Sequence, residues 1–208
     1  MQSKKNVVIG IAGPAASGKS LLARSLVDQG LKERVVIIHA DNYYKDQSKL
    51  STEERSNVNY DHPKSIDNAL LATHITDLVS GKSINMPEYD YLSNIRKNES
   101  VLIMPHQIIV LEGFLTLAIK ELRQLMDIKI YVDTPLDICL MRRIRRDVLE
   151  RGRNTNQVLY QYNKYVRPMF LKYIEPSKKY AHIIVPKGGK NKVALDMIKS
   201  RISEILKK

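Results

Sequence analysis

The residues between positions 13 and 20 have the types and the spacing that phosphate binding requires. They match the pattern G-x-x-x-x-G-K-[ST] in full and are Gly13, Pro14, Ala15, Ala16, Ser17, Gly18, Lys19 and Ser20. The glycines let successive backbone N–H groups approach a phosphate, and a helix that begins here would point its positive end at the same place. Lys19 would bind the β- and γ-phosphates of ATP or GTP, and the Ser20 hydroxyl would ligate Mg²⁺. The alternative is a glycine turn into a helix with a surface lysine.

Two carboxylates are predicted to stand at the ends of buried strands. Asp41 follows the apolar run Val35–His39, and Glu112 follows the run Ile108–Leu111. Ligands of an open parallel sheet bind at the carboxyl ends of its strands, so both side chains would face the phosphate loop. Asp41 is the candidate general base, and the candidate Mg²⁺ ligands are Ser20, Asp41 and Glu112. One such carboxylate alone would more often cap a loop, but two of them beside a phosphate loop favour catalysis.

The segment from Arg142 to Arg153 is strongly basic, with six arginines and two acidic residues. A run of charge usually forms a solvated helix face, and a basic patch can also bind nucleic acid. The third interpretation is a lid whose arginines close over a triphosphate and stabilise transition-state charge. Gly152 would give such a lid a mobile joint at a helix end. The phosphate loop upstream favours the lid.

Short apolar segments alternate with helical patterns along the chain. The β-branched runs predict buried strands at Val7–Ala12, Val35–His39, Ile108–Leu111, Ile128–Val132 and Ile183–Val185. Apolar residues at helical spacing predict helices at Ser20–Gln29, which would stop at Gly30, and at Ile66–Val79, Leu136–Leu149 and Val193–Leu206. This alternation indicates an α/β fold of the P-loop NTPase type, with a mostly parallel sheet flanked by helices.

One region interrupts the alternation. Strand-like residues in Ile84–Met104 lie on both sides of the polar stretch Arg96–Glu99, which predicts a β-hairpin flap with its turn at that stretch. The sequence contains no repeat and no linker rich in proline or glycine. We therefore expect a single domain over residues 1–208, with the flap at about 84–104 and an arginine-rich lid at about 142–160.

The composition limits the class of protein further. The 208 residues carry a formal net charge of +12, which predicts an anionic partner: nucleic acid, a membrane surface or a phosphorylated small molecule. Cys139 is the single cysteine, so a disulfide framework and a cysteine-based zinc site are excluded. No run approaches the roughly 20 apolar residues of a membrane helix. Asn163-Lys164 and Asn191-Lys192 lack the aspartate of the guanine-reading N-K-x-D motif, so a small kinase is favoured over a GTPase.

Further blocks of the sequence resemble the uridine kinase (uridine-cytidine kinase) family. After the phosphate loop come, in that family's order, the blocks Asp41–Tyr44, Tyr60–Pro63, Pro87–Tyr91, Leu111–Gly113 and Glu150–Arg153. The resemblance covers essentially the whole chain, and its most specific parts are Asp-His-Pro and Glu-Arg-Gly-Arg. It implies transfer of phosphate from ATP, with Mg²⁺, to the 5′-hydroxyl of uridine or cytidine. It also implies a cytoplasmic tetramer that binds small nucleosides and nucleotides rather than nucleic acid or a membrane.

The resemblance also implies roles for individual residues. Asp41 matches the catalytic aspartate, and Asp61 matches an aspartate that holds the ribose hydroxyls. The aromatic side chains around the pyrimidine would be Tyr44, Tyr60, Tyr89 and Tyr91. The phosphate-binding lid would consist of Arg143, Arg146, Arg151 and Arg153. Either the pair Arg143 and Arg146 or the pair Arg151 and Arg153 could lie nearer the nucleoside. Arg143 and Arg146 would act in catalysis together with Lys19 and Asp41. Gln161 matches a glutamine that reaches the ribose or base, and Gly188 matches a loop beside the adenine.

Two positions depart from the family pattern. Asn94 stands where a histidine commonly reads the pyrimidine edge, and its amide can donate and accept, so the acceptor stays open between uridine, cytidine and another nucleoside. Pro14 stands where glycine is common, and it removes one N–H group from the phosphate loop.

Two rival functions stay open. One is a kinase of another small hydroxyl substrate, such as a phosphoribulose precursor or pantothenate; the other is a basic nucleic-acid-binding protein with a regulatory ATP site.

Overall fold

The computed structural model of the chain describes residues 6–27 and 33–207. Its strands are β1 (Val7–Ala12), β2 (Val35–His39), β3 (Ile84–Asp90), β4 (Ile95–Ile103), β5 (Ile108–Glu112), β6 (Ile128–Asp133) and β7 (Ile183–Pro186). Its α-helices are α1 (Lys19–Leu26), α2 (Thr52–Ser56), α3 (Asn68–Val79), α4 (Lys120–Gln124), α5 (Leu136–Glu150), α6 (Thr155–Gln161), α7 (Arg167–Met169), α8 (Glu175–Ser177) and α9 (Lys192–Lys207). Across these described residues no helix is both long enough and apolar enough to cross a bilayer.

Five of the strands form one parallel sheet in the order β2-β5-β1-β6-β7. They are the strands that the apolar runs predict, so the expected α/β fold with a parallel sheet flanked by helices is confirmed. β1 lies at the centre, and the loop after it opens at the carboxyl edge of the sheet. The register pairs His39 of β2 with Glu112 of β5, which brings the ends of these strands together beside that loop.

The two faces of the sheet bury alternate residues of each strand, because successive side chains point to opposite faces. One face packs Val8, Ile109 and Leu111 against α3. The other face packs Ile9, Ile11 and Val110 against α1 and α9, whose contributions are Leu22, Leu26, Leu195, Ile198 and Ile202. The sheet is therefore covered on both sides, and its carboxyl edge is left to form a site.

Two helix boundaries differ from the sequence-based prediction. Ile66 does not begin α3; it is extended and forms a bridge with Tyr44, and the helix begins at Asn68. The reason is Asp67, whose side chain accepts a hydrogen bond from Leu70 N–H and so caps the helix. The second boundary is the end of α1, which stops at Leu26 before a non-helical Val27, whereas the predicted end at Gln29 and the stop at Gly30 lie outside the described residues.

The flap is the antiparallel hairpin β3–β4, as predicted, but the predicted turn at Arg96–Glu99 is wrong. The chain turns before Ile95. There the Asp90 carboxylate accepts hydrogen bonds from Leu92 N–H and Ser93 N–H, and Asn94 adopts a left-handed φ of 55°. Residues 96–99 belong to β4 and are polar because this strand faces solvent. Arg96 donates to the carbonyl oxygens of Tyr43 and Tyr44, at 3.1 and 3.0 Å, and so ties the flap to the turn that follows β2.

A nearly continuous helical segment runs from α6 through α8. Two wider π-helical turns interrupt it, with Arg167 N–H bonded to the Tyr162 carbonyl and Glu175 N–H bonded to the Phe170 carbonyl. Proline follows each turn, at positions 168 and 176. A proline ring clashes with the carbonyl four residues earlier and supplies no N–H, and the wide turn relieves both problems. The segment starts at Asn154, whose side chain and Gln157 form a capping box.

Candidate active site

The phosphate loop connects β1 to α1 and folds around the ammonium of Lys19. Lys19 Nζ donates to the Pro14 carbonyl at 2.9 Å, and Ser17 N–H donates to the same carbonyl at 3.1 Å. Left-handed backbone at Ala16 and Gly18 turns the chain into the helix. Lys19 is buried, so the loop holds a positive charge at the place where backbone N–H groups and a helix start also favour an anion.

Neighbouring segments support the phosphate loop from behind. Thr134 Oγ1 and Arg142 Nη1 donate to the Ser17 carbonyl, at 3.0 and 3.4 Å. Gly188 packs against the same carbonyl: a β-carbon at this position would lie 2.3 Å from the Ser17 oxygen. The buried Gly188 therefore supports the backbone of the loop, and it does not line the cleft itself.

Replacement of Gly188 by alanine is expected to destabilise the protein by roughly 2–5 kcal/mol, because the new methyl group must displace backbone and accept a left-handed φ. Gly152 provides the matched control. Its φ of 62° is close to the 66° of Gly188, but its β-carbon position is open, so Gly152→Ala should cost only about 1–2 kcal/mol. Urea denaturation measures both free energies. Equal losses at the two positions would show that Gly188 does not support the loop.

The two predicted carboxylates lie at the sheet edge beside the phosphate loop, in different surroundings. Glu112 Oε2 lies 2.9 Å from His39 Nδ1 and accepts a hydrogen bond from Ser20 Oγ at 3.2 Å. Asp41 opens onto the cleft, while its Oδ1 is buried and has no hydrogen-bond partner among the described residues. Glu112 is thus held in place by the protein, and Asp41 keeps an acceptor oxygen available.

These surroundings separate the pKa values of the two groups. Burial, together with the negative charge of Glu112, raises the pKa of Asp41 to about 6. Burial also disfavours the ionised form of Glu112, but the His39 hydrogen bond and the charge of Lys19 outweigh burial and lower the pKa of Glu112. Glu112 therefore stays ionised, whereas Asp41 can exchange a proton near neutral pH.

Four arginines of the predicted lid converge on one acidic side chain, Asp147, which is fully buried. Arg146 Nη2 lies 2.8 Å from its Oδ1, and Arg153 Nη1 lies 3.0 Å from its Oδ2. Arg143 and Arg151 approach the same carboxylate at 3.6 Å. Helical spacing explains why Arg143 and Arg151 lie near Asp147, because positions 143, 147 and 151 share one face of a helix.

A tyrosine wall, made of Tyr44, Tyr60, Tyr89 and Tyr91, lines the opposite side of the cleft. The ring centroids of neighbouring members lie 5.0 to 5.6 Å apart, at inclined or edge-to-face angles. The guanidinium of Arg151 lies over the Tyr91 ring, 4.6 Å from its centroid, which joins the wall to the lid. The wall offers aromatic surface on which a flat ring can pack.

Asp61 and Gln161 lie between the lid and the wall. Asp61 is buried, and burial raises its pKa against the opposing charge of Arg143. Gln161 Oε1 accepts a hydrogen bond from Arg153 Nη1 at 3.0 Å. Asn94 borders the same cleft from the turn of the flap. Polar groups therefore surround the aromatic surface, as in sites that orient small polar ligands.

Comparison with known proteins assigns the family. The sequence profile of the Phosphoribulokinase / Uridine kinase family matches residues 8–194. The chain belongs to this family. Within the phosphoribulokinase/uridine kinase family, it is 54% identical to the uridine kinase of Proteus mirabilis over 95% of this chain and 94% of that one. It is 54% identical to the uridine kinase of Salmonella paratyphi B over 98% of this chain and 97% of that one. The resemblance stated from the sequence blocks is thereby confirmed.

The fold of this phosphoribulokinase/uridine kinase family member is also found in solved structures. The structure of phosphoribulokinase from Rhodobacter spheroides superposes with a TM-score of 0.66, covering 88% of this chain and 71% of that chain. The sequence identity is 15%, so this likeness concerns the fold alone.

One cleft of about 330 Å³ brings together most of the residues that the sequence singles out. Those that line it are Ala15, Ala16, Gly18, Lys19, Ser20, Asp41, Tyr44, Tyr60, Asp61, Tyr89, Tyr91, Asn94, Glu112, Arg143, Arg146, Arg151, Arg153 and Gln161. Four do not: Gly13, Pro14, Ser17 and Gly188. Gly13 packs against the Val132 carbonyl, Ser17 is fully buried, and Pro14 faces a small cavity behind the loop. These four shape the loop of this family member without lining its cleft.

Two residues that organise the site were missed by the sequence reasoning. His39 orients Glu112, and its signal was its position in register with Glu112 at the end of a neighbouring parallel strand. Asp147 gathers the arginines, and its signal was an acid inside a basic run with arginines four residues before and after it. Arg145, which the basic run includes, is exposed and lies outside the cleft.

Proposed function

We propose that this chain is an ATP-dependent kinase that phosphorylates the 5′-hydroxyl of uridine and cytidine. One observation carries the proposal: Asp41 shares a single cleft with the phosphate loop and with the tyrosine wall. Such a cleft can hold a triphosphate at one end and a base at the other, with the reacting hydroxyl beside the carboxylate. The 54% identity to two proteins named uridine kinase supports this acceptor class.

The residues of the cleft fit Mg²⁺ together with a nucleotide. No group of three His, Cys, Asp or Glu side chains in residues 6–27 and 33–207 is arranged to hold a metal ion by itself. Mg²⁺ usually takes one or two carboxylates and completes its shell with water and substrate phosphates. The unpartnered Asp41 Oδ1 and the Ser20–Glu112 pair offer such a partial shell. When bound, the ion would neutralise phosphate charge during transfer.

On the donor side, Lys19 and the backbone of the phosphate loop would bind the β- and γ-phosphates of ATP. In the structure Lys19 Nζ is bound to the Pro14 carbonyl, an uncharged acceptor that a phosphate oxygen can replace with a stronger, charge-assisted bond. Arg143 and Arg146, with Arg151 and Arg153 beyond them, would stabilise the charge that develops on the transferred group. In other kinases and GTPases an arginine of this kind contributes ~10³–10⁵ in rate.

On the acceptor side, the tyrosine wall would stack on the pyrimidine, and Asp61 would accept hydrogen bonds from the ribose hydroxyls. Two tyrosine hydroxyls, those of Tyr60 and Tyr89, are buried beside each other in the cleft wall and interact with each other, and a ligand with polar edges would supply further hydrogen bonds to them. Asn94 and Gln161 border the same space and supply amides that can both donate and accept. These groups suit uridine and cytidine alike.

The chemical step then follows from these positions. Asp41 takes the proton of the 5′-hydroxyl as the hydroxyl oxygen attacks the γ-phosphorus of ATP. The bond between that phosphorus and the β–γ bridging oxygen breaks, and ADP leaves with the electron pair. The nucleoside 5′-monophosphate and ADP are the products. A pKa of Asp41 near 6 suits a group that accepts a proton at neutral pH.

The distribution of charge supports a nucleotide, rather than nucleic acid or a membrane, as the anionic partner. Five of the six arginines between Arg142 and Arg153 line the cleft, and only Arg145 does not. A lid of this kind serves a small phosphorylated ligand, whereas a nucleic-acid surface would present its arginines to solvent. We also infer that the chain is one domain, that it forms a homo-oligomer, and that it acts in the cytoplasm, as its similarity to uridine kinases suggests.

A panel of acceptors tests the proposal. With Mg²⁺·ATP, coupled detection of ADP release is expected to give the highest kcat/KM with uridine or cytidine. Adenosine, ribulose 5-phosphate and pantothenate serve as the competing acceptors. Higher turnover with a sugar phosphate or pantothenate would favour a kinase of another small hydroxyl substrate. This alternative is open because Asn94 defines the base-reading edge of the site less than a histidine would. Submicromolar binding of RNA or DNA on filters at physiological salt would revive the nucleic-acid alternative.

A further inference from the structure

Arg143, Arg146, Arg151 and Arg153 all face the cleft, and all four share the carboxylate of Asp147. The Asp147 side chain has no exposed surface, and the four arginines are mostly covered as well. Among the described residues, none of the four forms an ion pair with any other acidic side chain. One negative charge therefore holds four positive ones in a cluster with a net charge of +3.

Asp147 is fixed in this role by more than its charge. Arg146 uses both Nε and Nη2 on Oδ1, at 2.9 and 2.8 Å. Arg153 is bound twice, because its Nη1 donates to Oδ2 at 3.0 Å and its backbone N–H donates to the Asp147 carbonyl at 3.1 Å. The arginines on α5 and those after its end are thus joined at one residue across the turn at Gly152.

A role in the helix itself does not account for Asp147. The residue lies in the last turn of α5, where the helix dipole disfavours a negative charge. Burial also disfavours the ionised form, but the surrounding arginines, Arg146 first, outweigh burial and lower the pKa of Asp147. The arginine cluster is therefore what stabilises the carboxylate, and the carboxylate in turn offsets the repulsion among the guanidinium groups.

We propose that Asp147 is a positioning residue that gathers the four arginines into a preformed anion site before phosphate binds. This inference rests on the proposed function in one respect: phosphate groups must bind in the cleft that these arginines line. The bound phosphates then take over part of the charge neutralisation that Asp147 provides in the empty site.

The test compares Asp147→Asn with the matched control Glu150→Gln, an exposed acid on the same helix. Thermal melting is measured without ligand and with saturating inorganic triphosphate as the anion. Without ligand, Asp147→Asn is expected to lower the Tm by roughly 6–20 °C, because four cations lose their shared partner. Triphosphate is expected to remove at least half of that difference from wild type. Glu150→Gln should melt within about 2 °C of wild type in both conditions.

Two outcomes would overturn the inference by different routes. If triphosphate stabilises wild type but removes less than half of the Asp147→Asn deficit, Asp147 has only a packing role, and the inference fails while the proposed function stands. If triphosphate does not stabilise wild type at all, the phosphate site of the proposed function fails, and the inference fails with it.

A double variant keeps the test decisive where Asp147→Asn folds poorly. Arg146→Gln combined with Asp147→Asn removes one cation together with the carboxylate. If repulsion is what Asp147 offsets, the double variant melts above Asp147→Asn and gives a higher soluble yield. Arg145→Gln combined with Asp147→Asn is the control, since Arg145 lies outside the cleft and its loss should not raise the Tm. A double variant that melts below Asp147→Asn would overturn the inference.

Discussion

Replacement of Asp41 by asparagine is expected to lower kcat by ~10²–10⁴ with the best nucleoside acceptor, while ATP binding persists. The amide has nearly the shape of the carboxylate but cannot take the proton of the attacking hydroxyl. Because Lys19, the phosphate loop and the arginines are unchanged, the Kd for ATP should stay within a few-fold of wild type. Steady-state ADP release measures kcat, and equilibrium nucleotide binding measures the Kd.

Asp46→Asn is the matched control for this variant. Asp46 lies five residues further along the chain, is exposed, and bonds to Ser48 and to the Arg96 backbone, away from the cleft. Its replacement should leave kcat within about two-fold of wild type, as is usual for exposed positions. An Asp41→Asn protein with near-wild-type kcat would mean that Asp41 is not the base, and the acceptor hydroxyl would then have to lose its proton elsewhere.

Lys19→Met is expected to lower kcat by ~10²–10³, the usual effect of removing one preorganised donor from developing negative charge. Unlike Asp41→Asn, it should also raise the KM for ATP, since Lys19 supplies the buried positive charge at the centre of the loop. Methionine keeps the unbranched apolar stem, so packing around the loop is largely preserved. A full titration of ADP release against ATP concentration separates the two effects.

Lys82→Met controls for the loss of a lysine in general, because Lys82 is exposed and pairs only weakly with Asp77 at 3.3 Å. It should change neither kcat nor the KM for ATP. A Lys19→Met enzyme with a raised KM but an unchanged kcat would show that the lysine binds ground state and transition state equally. The lysine would then contribute binding rather than catalysis.

The sheet could be predicted from the sequence because its central strands are buried on both faces. Such strands read as unbroken β-branched runs, and the observed β1 and β2 begin and end at the predicted residues. The flap was harder to predict because β4 faces solvent along most of its length. Its polar residues at 96–99 resemble a turn, while the real turn depends on the Asp90 side chain and a left-handed Asn94, neither of which produces a hydrophobic pattern.

The residues of the site also fall into those that could be predicted from the sequence and those that could not. Residues with local signals, such as Lys19 in its glycine loop or Asp41 after a strand, could be located from the sequence and do line the cleft. The support of the loop by Gly188 could not be predicted, because it depends on contact between segments about 170 positions apart. The convergence on Asp147 was concealed for another reason: a basic run shows its net charge but not which side chains turn inward.

The most direct test of phosphate transfer to the 5′-hydroxyl is product analysis with uridine and 5′-deoxyuridine under identical conditions. With uridine and Mg²⁺·ATP, we expect ADP and uridine 5′-monophosphate in a 1:1 ratio, with the phosphate on the 5′-oxygen by ³¹P NMR. With 5′-deoxyuridine, which can occupy the tyrosine wall but lacks the accepting hydroxyl, ADP release should fall to the background of ATP hydrolysis. Phosphate on a 2′- or 3′-oxygen, or equal ADP release from both compounds, would show that the 5′-hydroxyl is not the acceptor.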